Sequence, residues 1–162
     1  KGSVMSYEIP TIDQWLYETL SNDATLQGLL AVENKPNGYQ QGIYNSIAPQ
    51  VDPISRKPPQ LPYVVFSAGS QTVLERSLCN SRFLTDSGYR VTVWDTASGA
   101  ASMARAQTIM ARIDTLLDGQ TVTTTSPNIF CTRDVAGQAV TLSEGGRTDV
   151  AVTATYIIQS VE

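Results

Sequence analysis

The residues that could carry chemistry are few. Asp13, Glu18 and Asp23 stand near one another early in the chain, Cys79 and Cys131 supply thiols, and Gly99-Ala100-Ala101 precedes a helical stretch. The 162 residues include no histidine, so Ser/His and Cys/His nucleophile–base pairs and imidazole metal ligation are excluded. A Ser/Lys dyad would have to draw on Lys1, Lys35 or Lys57, which lie at the N-terminus or in proline-rich sequence. A metal would rest on the three acids alone, and acids at a helix start serve more commonly as dipole partners and solvated charges. Two thiols far apart in sequence form neither a disulfide framework nor a CxxC pair, which fits a reducing compartment. One glycine before a helix lacks the pattern of a phosphate-binding loop, and a tight strand-to-helix turn accounts for it. No catalytic residue, cofactor or metal site is therefore expected.

Composition points toward assembly. Charged residues make up 16% of the chain, against about 25% in ordinary soluble domains, so more of the surface than usual must be neutral. The net charge of −4 and the pI near 4.7 argue against a phosphate-binding surface, which needs clustered Lys and Arg. No stretch approaches the roughly 18 apolar residues of a membrane helix, and no signal peptide is recognised, so a soluble, unexported protein is expected. Residues 1–4 precede Met5 and are expected to be left over from expression, with a single domain at 5–162.

The elements follow from periodicity. Thr11 and Gln14 have the spacing of a capping box, and Ile12, Trp15, Leu16 and Leu20 share a helical face. Asp23 is placed to cap a second short helix with Leu26, Leu29 and Leu30 on its apolar side, giving a broken helical arm over 11–31. Six of the eight prolines fall within residues 34–62, so that excursion holds at most a short strand at 42–47. Residues 63–67 are apolar without alternation, as in a strand covered on both faces; Tyr89, Val91 and Val93 alternate with Arg90, Thr92 and Trp94. Residues 69–87 between them read either as a strand extension or as a crossing loop. A second helix carries Met103, Ala106, Ile109, Met110, Ile113, Leu116 and Leu117 on one side, Arg105 and Arg112 on the other, and Gly119 as its cap. Strand-like runs follow at 120–125, 129–133 and 140–143, then a last strand at 149–158 behind a turn at 144–147.

Strands flanking two helical elements without a regular βαβ rhythm give an α+β domain: an antiparallel or mixed β-sheet with both helical elements packed on one face. Arg90, Thr92 and Trp94 present a strand face with little charge, as do Ala151, Thr153, Thr155 and Ile157. They are candidate subunit contacts, although a core position for Trp94 is equally open. The proline-rich excursion is expected to dock against a neighbouring subunit or partner, with Tyr39, Ile43, Tyr44 and Ile47 as apolar anchors; the alternative is a loop on its own subunit.

Taken together, the broken helix, the Gly42-Ile43-Tyr44 element with Pro49, the strand Pro62-Tyr63-Val64-Val65-Phe66, the strand Tyr89-Arg90-Val91-Thr92-Val93-Trp94, the helix over 104–117 and the closing strand resemble the tail-terminator, or tail-completion, proteins of long-tailed bacteriophages. The resemblance implies a structural virion protein: a homo-oligomeric ring, typically a hexamer. Such a ring is assembled in the host cytoplasm, caps the tail tube and meets the head–tail connector protein. DNA would pass through its lumen without specific binding. A head-side stopper or a tube protein is the nearest alternative, and a small carboxylate-dependent enzyme a more distant one.

Overall fold

The computed structural model describes residues 8–30, 42–48, 59–76, 82–96, 100–122, 128–144 and 147–161. Helix α1 (Glu8–Ser21) and the short α2 (Ala24–Leu29) form the expected broken arm. Then come β1 (Ile43–Asn45), β2 (Tyr63–Arg76), β3 (Arg82–Thr96), α3 (Ala100–Leu117), β4 (Gln120–Val122), β5 (Asn128–Glu144) and β6 (Arg147–Val161). The strands make one mixed sheet in the order β1-β2-β3-β6-β5-β4, antiparallel except where β1 runs alongside β2. The α+β class and the packing of the helices on one face agree with the sequence reading.

Every helix buries an apolar stripe on that face. Ile12, Leu16 and Leu20 of α1, Leu26 of α2, and Ala106, Ile109, Ile113 and Leu117 of α3 are inaccessible to solvent. They meet Val64, Phe66, Val91, Val93, Val152, Ala154 and Ile158 from the sheet. Each of the buried Val, Leu, Ile and Phe side chains contributes about 2 kcal/mol on burial. Gly119, at φ +74°, ends α3 in a left-handed conformation and donates its N–H to the Cys131 carbonyl at 2.9 Å, which starts β4 along β5. Gly137 has a different reason: a Cβ there would stand 3.1 Å from Met110 Cγ and 3.2 Å from Val152 Cγ1.

Three expectations are corrected and one open alternative is decided. First, α1 starts at Glu8 rather than Thr11, with Pro10 in the first turn where its missing N–H costs no helical bond; Gln14 reaches forward to Glu18 Oε1 at 2.8 Å instead of closing a capping box. Second, of the two readings open for residues 69–87 the strand extension is the one found among the described residues, because β2 and β3 pair as far as Arg76 and Arg82. Third, the runs at 129–133 and 140–143 belong to one strand, bent by register shifts between Arg133 and Gln138 that accommodate extra residues. Fourth, residues 63–67 are covered on one face only: Val64 and Phe66 are buried, while Tyr63, Val65 and Ser67 stay partly exposed.

Polar side chains fix the helices in place. Asp23 accepts the Leu26 amide at 2.6 Å as the α2 cap, and also Arg112 Nε of α3 at 3.0 Å. Arg112 therefore reaches back to the arm instead of lying on a solvated side. Its guanidinium holds the Asp23 carboxyl below the usual aspartate range, against the opposing effect of burial. Such a group stabilises the fold above its unfolded pKa and loses that contribution as pH falls through its folded value. Replacing Asp23 with Ala is expected to cost about 1 kcal/mol at neutral pH through the lost cap. In urea unfolding of parent and variant, the gap should shrink below about pH 4; a gap independent of pH would contradict this assignment.

Candidate interaction face

Two buried tyrosines tie the helices to one face of the sheet. Tyr89 of β3 and Tyr156 of β6 are register partners, both fully buried beneath the helices. The Tyr89 hydroxyl donates to Asp13 Oδ1 of α1 at 2.7 Å, and Asn45 Nδ2 donates to the other oxygen at 2.9 Å. The Tyr156 hydroxyl donates to Asp114 of α3, which also accepts Arg133 Nη1 at 2.8 Å. Burial first, and the aspartate second, pushes both phenols well above their ordinary pKa. Asp95, with no solvent exposure, accepts Arg105 Nε of α3 at 2.6 Å and the Thr96 amide at 2.7 Å. Arg105 thus pairs with a buried carboxylate while its own side chain stays about half exposed. The early acids Asp13, Glu18 and Asp23 all take protein donors: the Tyr89 hydroxyl, the Gln14 amide and the Leu26 amide.

With the buried polar pairs on the helical side, the other face is built from alternate residues. The register places Tyr63, Trp94, Ala151 and Val140 in one row across β2, β3, β6 and β5. The next row is Val65, Thr92, Thr153 and Gln138, with Thr92 and Thr153 sharing a hydroxyl–hydroxyl hydrogen bond at 3.0 Å. The row after it is Ser67, Arg90, Thr155 and Val135. An open groove of about 290 Å³ lies at the β1 side, lined by Ile47, Tyr63, Val65, Thr92 and Trp94 together with Ser46, Ala48 and Ser67. Among the described residues the exposed large aliphatic side chains are Ile47 at 76%, Val135 at 41%, Val140 at 50% and Leu142 at 45%. By register or by the groove they line, all of them belong to this helix-free face.

The structure brings Ile47, Thr92 and Trp94 of the candidate residues into one groove. Tyr44 is half-buried and packs edge-on against Tyr63, ring centroids 5.7 Å apart. Arg90 is exposed two positions along from Thr92. Ile43 is turned the other way: at 5% exposure it joins the core beside Val64, because alternation along β1 sends its neighbour Tyr44 to the free face. Tyr39 and most of the proline-rich excursion lie outside the described residues, as does Gly99. Sequence reasoning missed Tyr63 and Val65 because an unbroken apolar run hides which side chains face out. It missed Val135, Val140 and Leu142 because the bend in β5 breaks the alternation that would have put them on one face.

No family model matches the chain, and no curated protein does. Among solved structures, a chain described as part of the virion of a native gene transfer agent particle superposes with a TM-score of 0.59 at 17% identity, covering 95% of this chain and 99% of that one. A second structure, whose description names no activity, gives 0.55 at 9% identity over 92% and 94%. The fold is shared with both over nearly their whole lengths.

If the face is open in the isolated subunit, charge placed on it should be tolerated. Ile47→Lys and Leu142→Lys should each leave the far-ultraviolet circular dichroism unchanged and shift unfolding stability by no more than about 0.5 kcal/mol. A loss of several kcal/mol from either would mean that the chain covers this face itself.

Proposed function

We propose that this chain is a structural virion protein: a tail terminator that forms a ring, typically of six copies, caps the tail tube and presents a surface to the head–tail connector. The observation that carries the reading is the end-to-end likeness of fold to a chain of a gene transfer agent virion. The helix-free face supports it, since neutral, aromatic and aliphatic residues concentrated on one side of a subunit are the composition of contacts between subunits. Its low charge lets neighbours approach without burying unpaired ions, whose desolvation would offset the gain.

Rings also account for the overall composition. A head-to-tail contact repeated by rotation closes without free ends, and each copy then hides part of its neutral surface. The acidic balance suits a passage for DNA, because an excess of carboxylates repels phosphate and contact stays weak. In this reading DNA, the tube protein and the connector are successive partners within the virion tail.

Electron microscopy of the purified protein, alone and after addition of tail tubes, tests the reading. Annular particles, free or seated on tube ends, are expected. Long tubes formed by the protein itself would assign it to the tube instead, and monomers under both conditions would overturn the ring.

A further inference from the structure

The outline of the sheet is notched at two opposite corners. On one side β1 pairs only with Val64, Val65 and Phe66, so β2 has no described neighbour over residues 67–76. On the other side β4 pairs only with Ile129, Phe130 and Cys131, so β5 has none over residues 132–144. Along each stretch alternate backbone groups bond to the inner strand, β3 or β6, and the others have no described strand partner; the Arg133 N–H donates to Asp118 Oδ1 at 2.8 Å. Open edges of this length ordinarily carry charge to repel a foreign strand; here the charges stand at the ends of the two stretches, at Glu75, Arg76, Arg133, Asp134 and Glu144, and none occurs at 67–74 or at 135–143. Residues 132–143 of β5 are exposed throughout.

The notches and the short strands are complementary. Register carried across the sheet puts Tyr44 of β1 in the row of Val65, Thr92, Thr153 and Gln138, at the level of the β5 notch. It puts Thr121 of β4 in the row of Phe130, Gln159, Asp86 and Thr72, at the level of the β2 notch. A second copy placed beside the first, strands running the same way and without a shift along them, brings its β1 into the first copy's β5 notch. The same placement brings the first copy's β4 into the second copy's β2 notch. The two short strands then share one strand position, end to end. Strand directions also agree: β1 would run antiparallel to β5, and β4 parallel to β2.

We infer that copies of this chain join edge to edge through these notches, so that one sheet continues from subunit to subunit. The inference rests on the ring reading above and specifies its contact. Backbone hydrogen bonds supply attraction without charge, and the exposed Val140 and Leu142 gain neighbours from the β1 side of the next copy. The contact is heterologous, which is the kind that closes into a ring.

Cysteine pairs read the contact directly. Tyr44→Cys with Gln138→Cys tests one notch, and Thr72→Cys with Thr121→Cys tests the other, each in a Cys79→Ser background. Cys131 can stay, because burial pushes its thiol up to about 12 and leaves little reactive thiolate. Mild oxidation of assembled rings should remove the monomer band for both pairs and produce a ladder of covalent oligomers ending at the ring order. A control pair, Gln107→Cys on the exposed side of α3 with Gln138→Cys, should remain monomeric. If one pair prevents folding, as judged by circular dichroism, the other notch decides. Rings by microscopy with no ladder from a folded pair overturn the edge contact and leave the tail-terminator reading standing; absence of rings from the parent protein overturns both.

Discussion

Two buried phenols govern this structure. Tyr89 and Tyr156 sit side by side beneath the helices, and a hydroxyl taken out of water costs several kcal/mol unless it finds an acceptor. Asp13 on α1 meets one and Asp114 on α3 meets the other, so each helix is held at a fixed position along the sheet, not merely pressed onto it. Asp95 and Arg105 add a third tie at the far end of β3. Removing Asp13 or Asp114 would leave a buried phenol without its acceptor, and removing Arg105 would leave the buried Asp95 without its cation.

The bare face follows from that arrangement. A sheet whose polar anchors and aliphatic core all lie on one side has only alternate residues left for the other. Here those residues are tyrosine, tryptophan, valine and threonine with few charges. An ordinary monomer would solvate such a surface with Lys and Glu. Among the described residues the corners beside β1 and β4 have no strand neighbour, so the neutral face and these edges fall together. Local rigidity on the helical side and unmet contacts on the other are what a subunit needs if it is to be stable alone and still join its neighbours.

Much of this was legible from the residues. The spacing of Met103, Ala106, Ile109, Met110, Ile113 and Leu117 marked α3, Gly119 marked its end, and Asp23 marked the break in the arm, because each signal is local and follows from helix geometry alone. The alternation in β3 correctly set Thr92 and Trp94 apart from Val91 and Val93. What could not be read was long-range. Nothing near Asp13 in sequence announces Tyr89, and nothing near Arg112 announces Asp23. The single strand β5 reads as two in the sequence because its register shifts disturb the period of two on which strand recognition depends. Ile43 reads as an interface residue because a three-residue strand is too short to show which side it buries.

Amide hydrogen exchange, compared between dissociated subunits and the assembled particle, tests the central claim most directly. That claim is that the helices and the strands β2, β3 and β6 beneath them pack within one chain, while the free face and the edges are completed by neighbours. Those amides of 67–76 and 132–144 that do not bond to β3 or β6 should exchange fast in the subunit and be slowed by about tenfold or more on assembly, with α3 equally protected in both. Unchanged exchange along both edges, with new protection on the outer side of the helices instead, would contradict it.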